Sequence, residues 1–430
     1  MVFSRRFLPY FIAQCLGALN DNVYKNVLIL MVAYTSAEQL PMSIDLFVNI
    51  AAAVFILPFL LFSAYAGYLA DSKDKAWLIR RIKLVELVLM SGAALAIMNQ
   101  SYLSMLLLLF LMGTQSAYFG PVKYALLPQV LTPAELVRGN AWVEVSTFLA
   151  ILCGTLGAGI IVSSDYATTV SAILVVVLAI FGVVAAWGVP SLPPALSKDI
   201  SMHKGNWQVL NCAYQNQQIW AAIIGISWFW FLGATYLTQF PNFTRIFLFS
   251  EPSVVSVLLA LFSLGIALGS LTSVRLSKGK VELGVVPLGL LGLTLFGIDF
   301  ALAVPSSSDM VFSASHFIAD SGHYRLMFDL FMVGVSAGIY IVPLYSFIQS
   351  NAQVNERARV IAANNILNAL FMISSALLAM LLLQVLMWQI TELFMLLAFS
   401  NLLVFIFICV RKSFFRRAVI HFWLKKFQRE

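Results

Sequence analysis

Along its length the chain alternates apolar runs of about 20–30 residues with short polar breaks, and the breaks gather Gly, Pro, Asn, Asp and basic residues. About 20 apolar residues in a helix cross a bilayer core of about 30 Å. The pattern predicts an all-α polytopic membrane protein with twelve spans, at roughly 7–34, 45–70, 76–98, 102–122, 138–162, 166–188, 217–240, 253–275, 283–304, 324–348, 360–384 and 388–410. The longest polar connection follows span six and opens with Pro190, Pro193 and Pro194, which cannot continue a helix. It divides the chain into a six-helix half at 1–189, a central loop at 190–216, a second half at 217–410 and a basic tail at 411–430.

Composition agrees. Of 430 residues, 61% are hydrophobic and 10% charged, against about 25% charged in a soluble chain. The first stretch is longer than a signal-peptide core and carries an acid and a base, so it is expected to stay as a membrane helix. Cys15, Cys153, Cys212 and Cys409 are scattered, with no CxxC and no Cys/His cluster, and read as small hydrophobes. No metal or cofactor is expected.

The net charge of +7 carries topology. Arg5 and Arg6, the run from Lys73 to Lys83, Lys123, Arg138, Lys198, Lys204, Arg275, Lys278, Lys280, Arg357, Arg359 and the tail bases from Arg411 to Arg429 all fall on one side of a twelve-span count. The opposite loops offer Arg245 and Arg325. Because Lys and Arg are retained on the cytoplasmic side, both termini and the central loop are expected there.

An internal repeat supports the two halves. "GTQSAYFGPVKYALLPQVLTPAELVRGNAW" leaves span four and "GVSAGIYIVPLYSFIQSNAQVNERARVIAANN" leaves span ten. In both, a Glu precedes an Arg by three residues, Glu135/Arg138 and Glu356/Arg359. A parallel duplication of six helices fits this match. After span two, "GYLADSKDKAWLIRR" resembles the signature loop of the major facilitator superfamily. Gly67 would permit close helix approach, Asp71 could accept from a helix N-terminus or an Arg, and Arg80 and Arg81 would sit at the surface. In that family such a cluster, here Gly67, Asp71, Lys75, Arg80 and Arg81, latches one half against the other. Asp74 stands where the family has a second glycine, and the second half carries a degraded copy, Gly269 to Lys280, with Ser273 in place of the acid. Gly154, Gly157 and Gly159 in span five read as helix packing. GxxxxGK[ST], HExxH and HxxxxD signatures are absent, so neither a nucleotide-driven pump nor an enzyme is indicated.

Span one places "LGALNDNVYKN" near the bilayer midplane. Asp21 and Lys25, four residues apart, share a face and could pair within the helix. A lone charge there would cost about 2.5–3.5 kcal/mol, so both are expected to face the bundle interior, either as a structural pair or as a headgroup site. Asn22, Gln115, Tyr118, Lys123, Glu144 (within reach of Lys123), Thr235, Thr238, Gln239, Tyr340, Tyr345, Asn364, Asn365 and Asn368 are further intramembrane candidates, and Glu86 a weaker one.

At "LGALNDNVYKN", "GPVKYALLPQVL" and "EVSTFLAILCGTLGAG" the sequence resembles the bacterial lysophospholipid transporter family of the major facilitator superfamily. That resemblance implies the major facilitator fold and a flippase without cofactor. It would move lysophospholipids, chiefly lysophosphatidylethanolamine, from the outer to the inner leaflet of the bacterial inner membrane for reacylation. Asp21 would meet the amine, and Lys123 the phosphate or a gating partner such as Glu144. Stand-alone members carry an arginine after the Gly-Ala-Thr of span seven, where this chain has Leu237 in "GATYLTQF". The sequence is closer to the branch fused to acyltransferase and acyl-carrier-protein synthetase domains, and the tail "RKSFFRRAVIHFWLKKFQRE" would lie on anionic lipid or lead to such a partner. A proton-coupled exporter of amphiphilic drugs or small solutes, and a membrane platform for an acyltransferase, remain alternatives.

Overall fold

The computed structural model describes residues 1–33, 40, 42–192, 194, 205–304, 311–411 and 413–427. Pro193, Lys198, Lys204, Lys412 and Arg429 lie outside the described residues, as do the side chains of Cys409, Arg411, Lys425 and Lys426. The fold is all-α. Its helices are α1 (Leu8–Ala33), α2 (Ile44–Ser72), α3 (Lys75–Met98), α4 (Tyr102–Val130), α5 (Pro133–Val162), α6 (Ala167–Trp187), α7 (Asn206–Gln215), α8 (Gln217–Ile246), α9 (Pro252–Leu276), α10 (Val286–Leu302), α11 (Ala314–Ala319), α12 (Tyr324–Asn351), α13 (Arg357–Met380), α14 (Ile390–Phe405) and α15 (Ser413–Phe427).

Ten of these are long and apolar enough to cross a membrane. Helices α1 and α3, of 26 and 24 residues, match them in length but interrupt their apolar runs with Asp21 and Lys25, and with Arg80, Arg81, Lys83 and Glu86. Helix is the local solution because no water in a bilayer core can take up unpaired N–H and C=O groups. Pro58, Pro121, Pro128, Pro241 and Pro343 sit inside these helices, which neighbouring helices in a membrane bundle can accommodate.

The chain forms two compact units. Unit 1 comprises Met1–Thr132, Ala150–Gln215 and Ala352–Ala369; unit 2 comprises Pro133–Leu149, Asn216–Asn351 and Leu370–Glu430. Residues 133–149 of the first sequence half thus belong to unit 2, and residues 352–369 of the second to unit 1. The core of unit 1 buries Tyr24, Val27, Phe47, Met90, Met105 and Val175 from α1, α2, α3, α4 and α6. In unit 2, α9 and α12 meet backbone to backbone. A Cβ at Gly265 would strike the Phe331 carbonyl oxygen and one at Gly334 the Phe262 carbonyl oxygen, while Gly269 and Gly338 repeat the arrangement one turn on. Small residues four apart on both helices allow this approach. A second cluster stacks Tyr236 on Phe394 at 4.9 Å and tilts Phe243 against Phe300 at 5.3 Å.

The tail helix α15 also packs in unit 2. Phe414 and Phe415 lie 5.4 and 5.9 Å from Phe347, and Phe422 covers Gly284. Its apolar face is therefore covered by protein, while Arg416, Arg417, Ile420, His421 and Leu424 are exposed.

Candidate functional site

Helix α1 carries five polar residues in a row of seven positions, and unit 1 satisfies each differently. Asn20 is fully buried and donates to the Val175 carbonyl of α6 at 3.1 Å. Asn26 donates to Thr155 of α5 at 3.1 Å, and a Cβ at Gly154 would stand 2.7 Å from the Asn22 Cβ, so α1 and α5 touch closely here. Asn22 returns its amide to the Ala18 carbonyl at 2.8 Å. Asn20 and Asn26 tie α1 to α6 and α5, while the Asn22 amide closes a bond within α1.

Asp21 and Lys25 do not pair with each other, contrary to the expectation from their spacing. Asp21 accepts from the Ser116 hydroxyl of α4 at 2.7 Å, and Lys25 donates to Asn22 Oδ1 at 3.3 Å with its ammonium 5.6 Å from the Phe55 ring centre. Both side chains are half-buried, and neither has an ion-pair partner among the described residues. Four residues bring two side chains to one face, but the neutral partners from α4 and α2 draw them apart.

One pair of opposite charges in unit 1 lies within α3. Lys83 Nζ and Glu86 Oε2 are 2.6 Å apart and each side chain is 1% exposed. Lys83 had read as one of the surface bases that follow span two; it is instead a core residue. Its ammonium lies against Gly17 of α1 and 5.2 Å from the Phe119 ring centre, with its stem beside Gly182 of α6. Only glycine leaves room for it: a Cβ at Gly17 would overlap Nζ. Gln115 donates to Glu86 at 3.0 Å, and its neighbour Ser116 reaches Asp21. Lys83, Glu86, Gln115, Ser116 and Asp21 thus form one polar chain across α3, α4 and α1. Lys83–Glu86 was visible as an i,i+3 opposite-charge pair inside an apolar run; Ser116 had no signal of its own.

At one end of unit 1, Asp71 is fully buried and caps α13. It accepts from the N–H groups of Ala358 at 2.9 Å and Arg359 at 3.2 Å, and from Arg359 Nε at 3.3 Å. An anion at a helix N-terminus completes the unpaired first-turn N–H groups and opposes the dipole. Lys75, 2% exposed, and Arg357 both interact electrostatically with this carboxylate. Gly67 makes the approach feasible, since a Cβ there would lie 2.6 Å from that of Ala362. Arg80 and Arg81 do other work: Arg80 donates to the Val189 carbonyl at 2.8 Å beyond the end of α6 and stacks on Trp187, while Arg81 is exposed over Trp77.

Asp74, where the family has glycine, is the N-cap of α3. It accepts from Trp77 N–H at 2.7 Å, and from the Ser191 hydroxyl and Leu192 N–H at 2.6 and 2.7 Å, tying down the start of the central loop. Burial works to raise its carboxyl, but these hydrogen bonds outweigh burial and hold it below the usual range. Asp74→Ala is expected to lower stability by about 1 kcal/mol at neutral pH. Because the folded-state value is depressed, that contribution is present above about pH 4 and fades as pH falls through the lower folded value. Melting curves of both proteins across pH check it: the gap should close in acid.

The remaining predicted residues divide between the units. Tyr118, Lys123, Asn364 and Asn368 are in unit 1; Glu144, Gln239 and Tyr340 are in unit 2. Tyr118 is half-buried against Phe62 and Tyr65, and the Lys123 ammonium lies 5.2 Å from the Tyr124 ring. Asn364 is wholly buried with neither amide atom hydrogen-bonded, and Asn365 lies against Gly120. Tyr340 is fully buried and donates to the Gly225 carbonyl at 2.8 Å, and Tyr345 accepts from the Trp230 indole at 3.1 Å, so both brace helices of unit 2. Glu144 is 0% exposed and Gln239 is 9% exposed.

A sequence model described as Major Facilitator Superfamily matches residues 10–376. The chain belongs to the Major Facilitator Superfamily. Its membership makes it a multi-pass membrane transporter. Among similar proteins are "Lysophospholipid transporter LplT" of Salmonella paratyphi B and of Salmonella typhimurium, each 26% identical over 372 residues, covering 85% of this chain and 85% of theirs. Of solved structures, the human organic anion transporter MFSD10 (TETRAN) superposes with TM-score 0.74 at 14% identity, covering 93% of this chain and 98% of its own. The Escherichia coli fucose:proton symporter FucP superposes with TM-score 0.66 at 10% identity, covering 94% and 98%. These superpositions show the fold of this superfamily member.

Proposed function

We propose that this transporter carries lysophospholipids, chiefly lysophosphatidylethanolamine, from the outer to the inner leaflet of a bacterial inner membrane by alternating access, for reacylation. One observation carries the reading. Asp21 and Lys25 are an acid and a base one helical turn apart and half-buried, and neither has an ion-pair partner among the described residues. A zwitterionic headgroup satisfies both at once, its amine at Asp21 and its phosphate at Lys25, with Lys123 as a second base in the same unit. The absence of an arginine at Leu237 leaves these lysines as the bases for phosphate. The relatives named lysophospholipid transporters support the same cargo.

The joint between Asp71 and the start of α13 serves as the latch that opens and closes in the cycle, with Gly67 and Lys75 as its support. The termini face the cytoplasm, by the distribution of Lys and Arg. An acyltransferase or acyl-carrier-protein synthetase would meet the exposed basic side of α15 there.

Reconstituted in liposomes, the protein is expected to move a labelled lysophosphatidylethanolamine between leaflets, and Asp21→Asn to slow this at least tenfold with the melting temperature unchanged. Well-folded wild type that moves no lysolipid, with or without an ion gradient, would overturn the reading. Solute export that collapses with a proton gradient would then identify a drug or solute exporter.

A further inference from the structure

The two copies of the repeat differ at the position of the acid. In the first, Asp71 follows Gly67 by four residues and neutralises the start of α13. In the second, Ser273 follows Gly269 by four residues, and its buried hydroxyl has no hydrogen-bond partner. The helix start corresponding to that of α13 is that of α5, where Glu135/Arg138 repeat Glu356/Arg359. The acid is gone from this copy, but Arg138, Arg275 and Lys278 leave it basic.

Within unit 2 a groove of about 360 Å³ lies between the start of α5 and the end of α9, lined by Ala134, Glu135, Arg138, Arg275, Lys278 and Gly279. Three bases against one acid leave it a formal charge of +2, and none of the three bases is in an ion pair among the described residues. The first-turn N–H groups of α5 add their partial positive charge. The turn ending α9 is built to present a base. Lys278 and Gly279 take φ of 51° and 71°, and Gly279 N–H returns to the Val274 carbonyl at 3.0 Å. A lysine rarely adopts that backbone region, yet here it sets Lys278 on the groove wall beside Arg275.

We propose that this groove binds a phosphate group, which supplies the negative charge that the second copy lacks. Paired guanidinium and ammonium donors suit phosphate oxygens, and the volume lies in the range of small-ligand sites. Both walls are ends of membrane-crossing helices, the level of lipid headgroups, so the phosphate is that of an anionic lipid or a free anion from solution. The groove belongs to unit 2 and Asp21 to unit 1, and the proposal does not depend on the cargo proposed above.

The test is thermal melting of the purified full chain. One arm compares sodium phosphate with sodium chloride at equal ionic strength in detergent; the other compares nanodiscs of phosphatidylglycerol with nanodiscs of phosphatidylcholine. A saturable rise in the first arm identifies free phosphate, and a rise confined to the second identifies a lipid headgroup. Arg275→Gln/Lys278→Gln, at exposed positions, should weaken the effect at least tenfold, and Arg138→Gln should weaken it in part. Arg416→Gln/Arg417→Gln, which removes the same charge from α15, should leave it intact. No rise in either arm, or a rise that both double variants share, overturns the proposal.

Discussion

Lys83→Met is expected to destabilise the protein by about 3–5 kcal/mol, because it leaves the Glu86 carboxylate buried without its base. Glu86 is 1% exposed, and among the described residues its Oε1 has no hydrogen-bond partner and Gln115 is its only other donor. Glu86→Gln should cost less, since an amide carries no charge to strand, although Lys83 would then lack its acid. Lys83→Met/Glu86→Leu should recover a large part of the loss, because burying an ion pair adds little net stability over apolar packing. Melting of the four proteins in one detergent closes the cycle. A loss in the double variant equal to the sum of the two single losses would mean that the two charges do not meet in the core. The same variants ask whether Asp21 depends on the chain through Gln115 and Ser116: transport should fall in Lys83→Met even at temperatures where it stays folded.

Asp71→Ala should release the start of α13. It removes the acceptor of two backbone N–H groups and of Arg359 Nε, and leaves Lys75, Arg357 and Arg359 with no acid at their centre. Breaking such a buried cluster is worth about 3–5 kcal/mol locally. Hydrogen exchange at Ala358 and Arg359 should speed by about two orders of magnitude or more, and trypsin should gain access to Arg357 and Arg359. Arg81→Gln, at an exposed side chain, should change neither readout. Unchanged exchange in Asp71→Ala would mean that the carboxylate does not hold the helix, and the proposed latch would fail with it.

Much of the fold was legible along the chain. Asp71, Gly67 and the bases after span two marked a family loop, and "LNDN" in an apolar helix marked the polar centre of unit 1. Other parts were misread for identifiable reasons. Lys83 counted as a surface base because charge asymmetry weighs every Lys near a helix end alike, whereas burial depends on Gly17 and Gly182, far away in sequence. Helical spacing left Asp21 and Lys25 open as a structural pair or as a headgroup site, and it carried no sign of Ser116, 95 residues from Asp21, as the acid's hydrogen-bond donor. Asp74 read as a departure from the signature loop; it is a helix cap whose second set of partners begins at Ser191.

The sequence by itself determined that the chain is helical and spans a membrane many times. In lipid each helix must satisfy its own backbone, so length, hydropathy and loop charge suffice to find it. Only the tertiary structure decided which buried charges neutralise one another and which have no ion-pair partner among the described residues. Asp71 meets residues 287 and 288 positions away, and residues 133–149 and 352–369 each join the unit of the other sequence half. Such pairings depend on distances set by the packing of whole helices, and no local spacing encodes them.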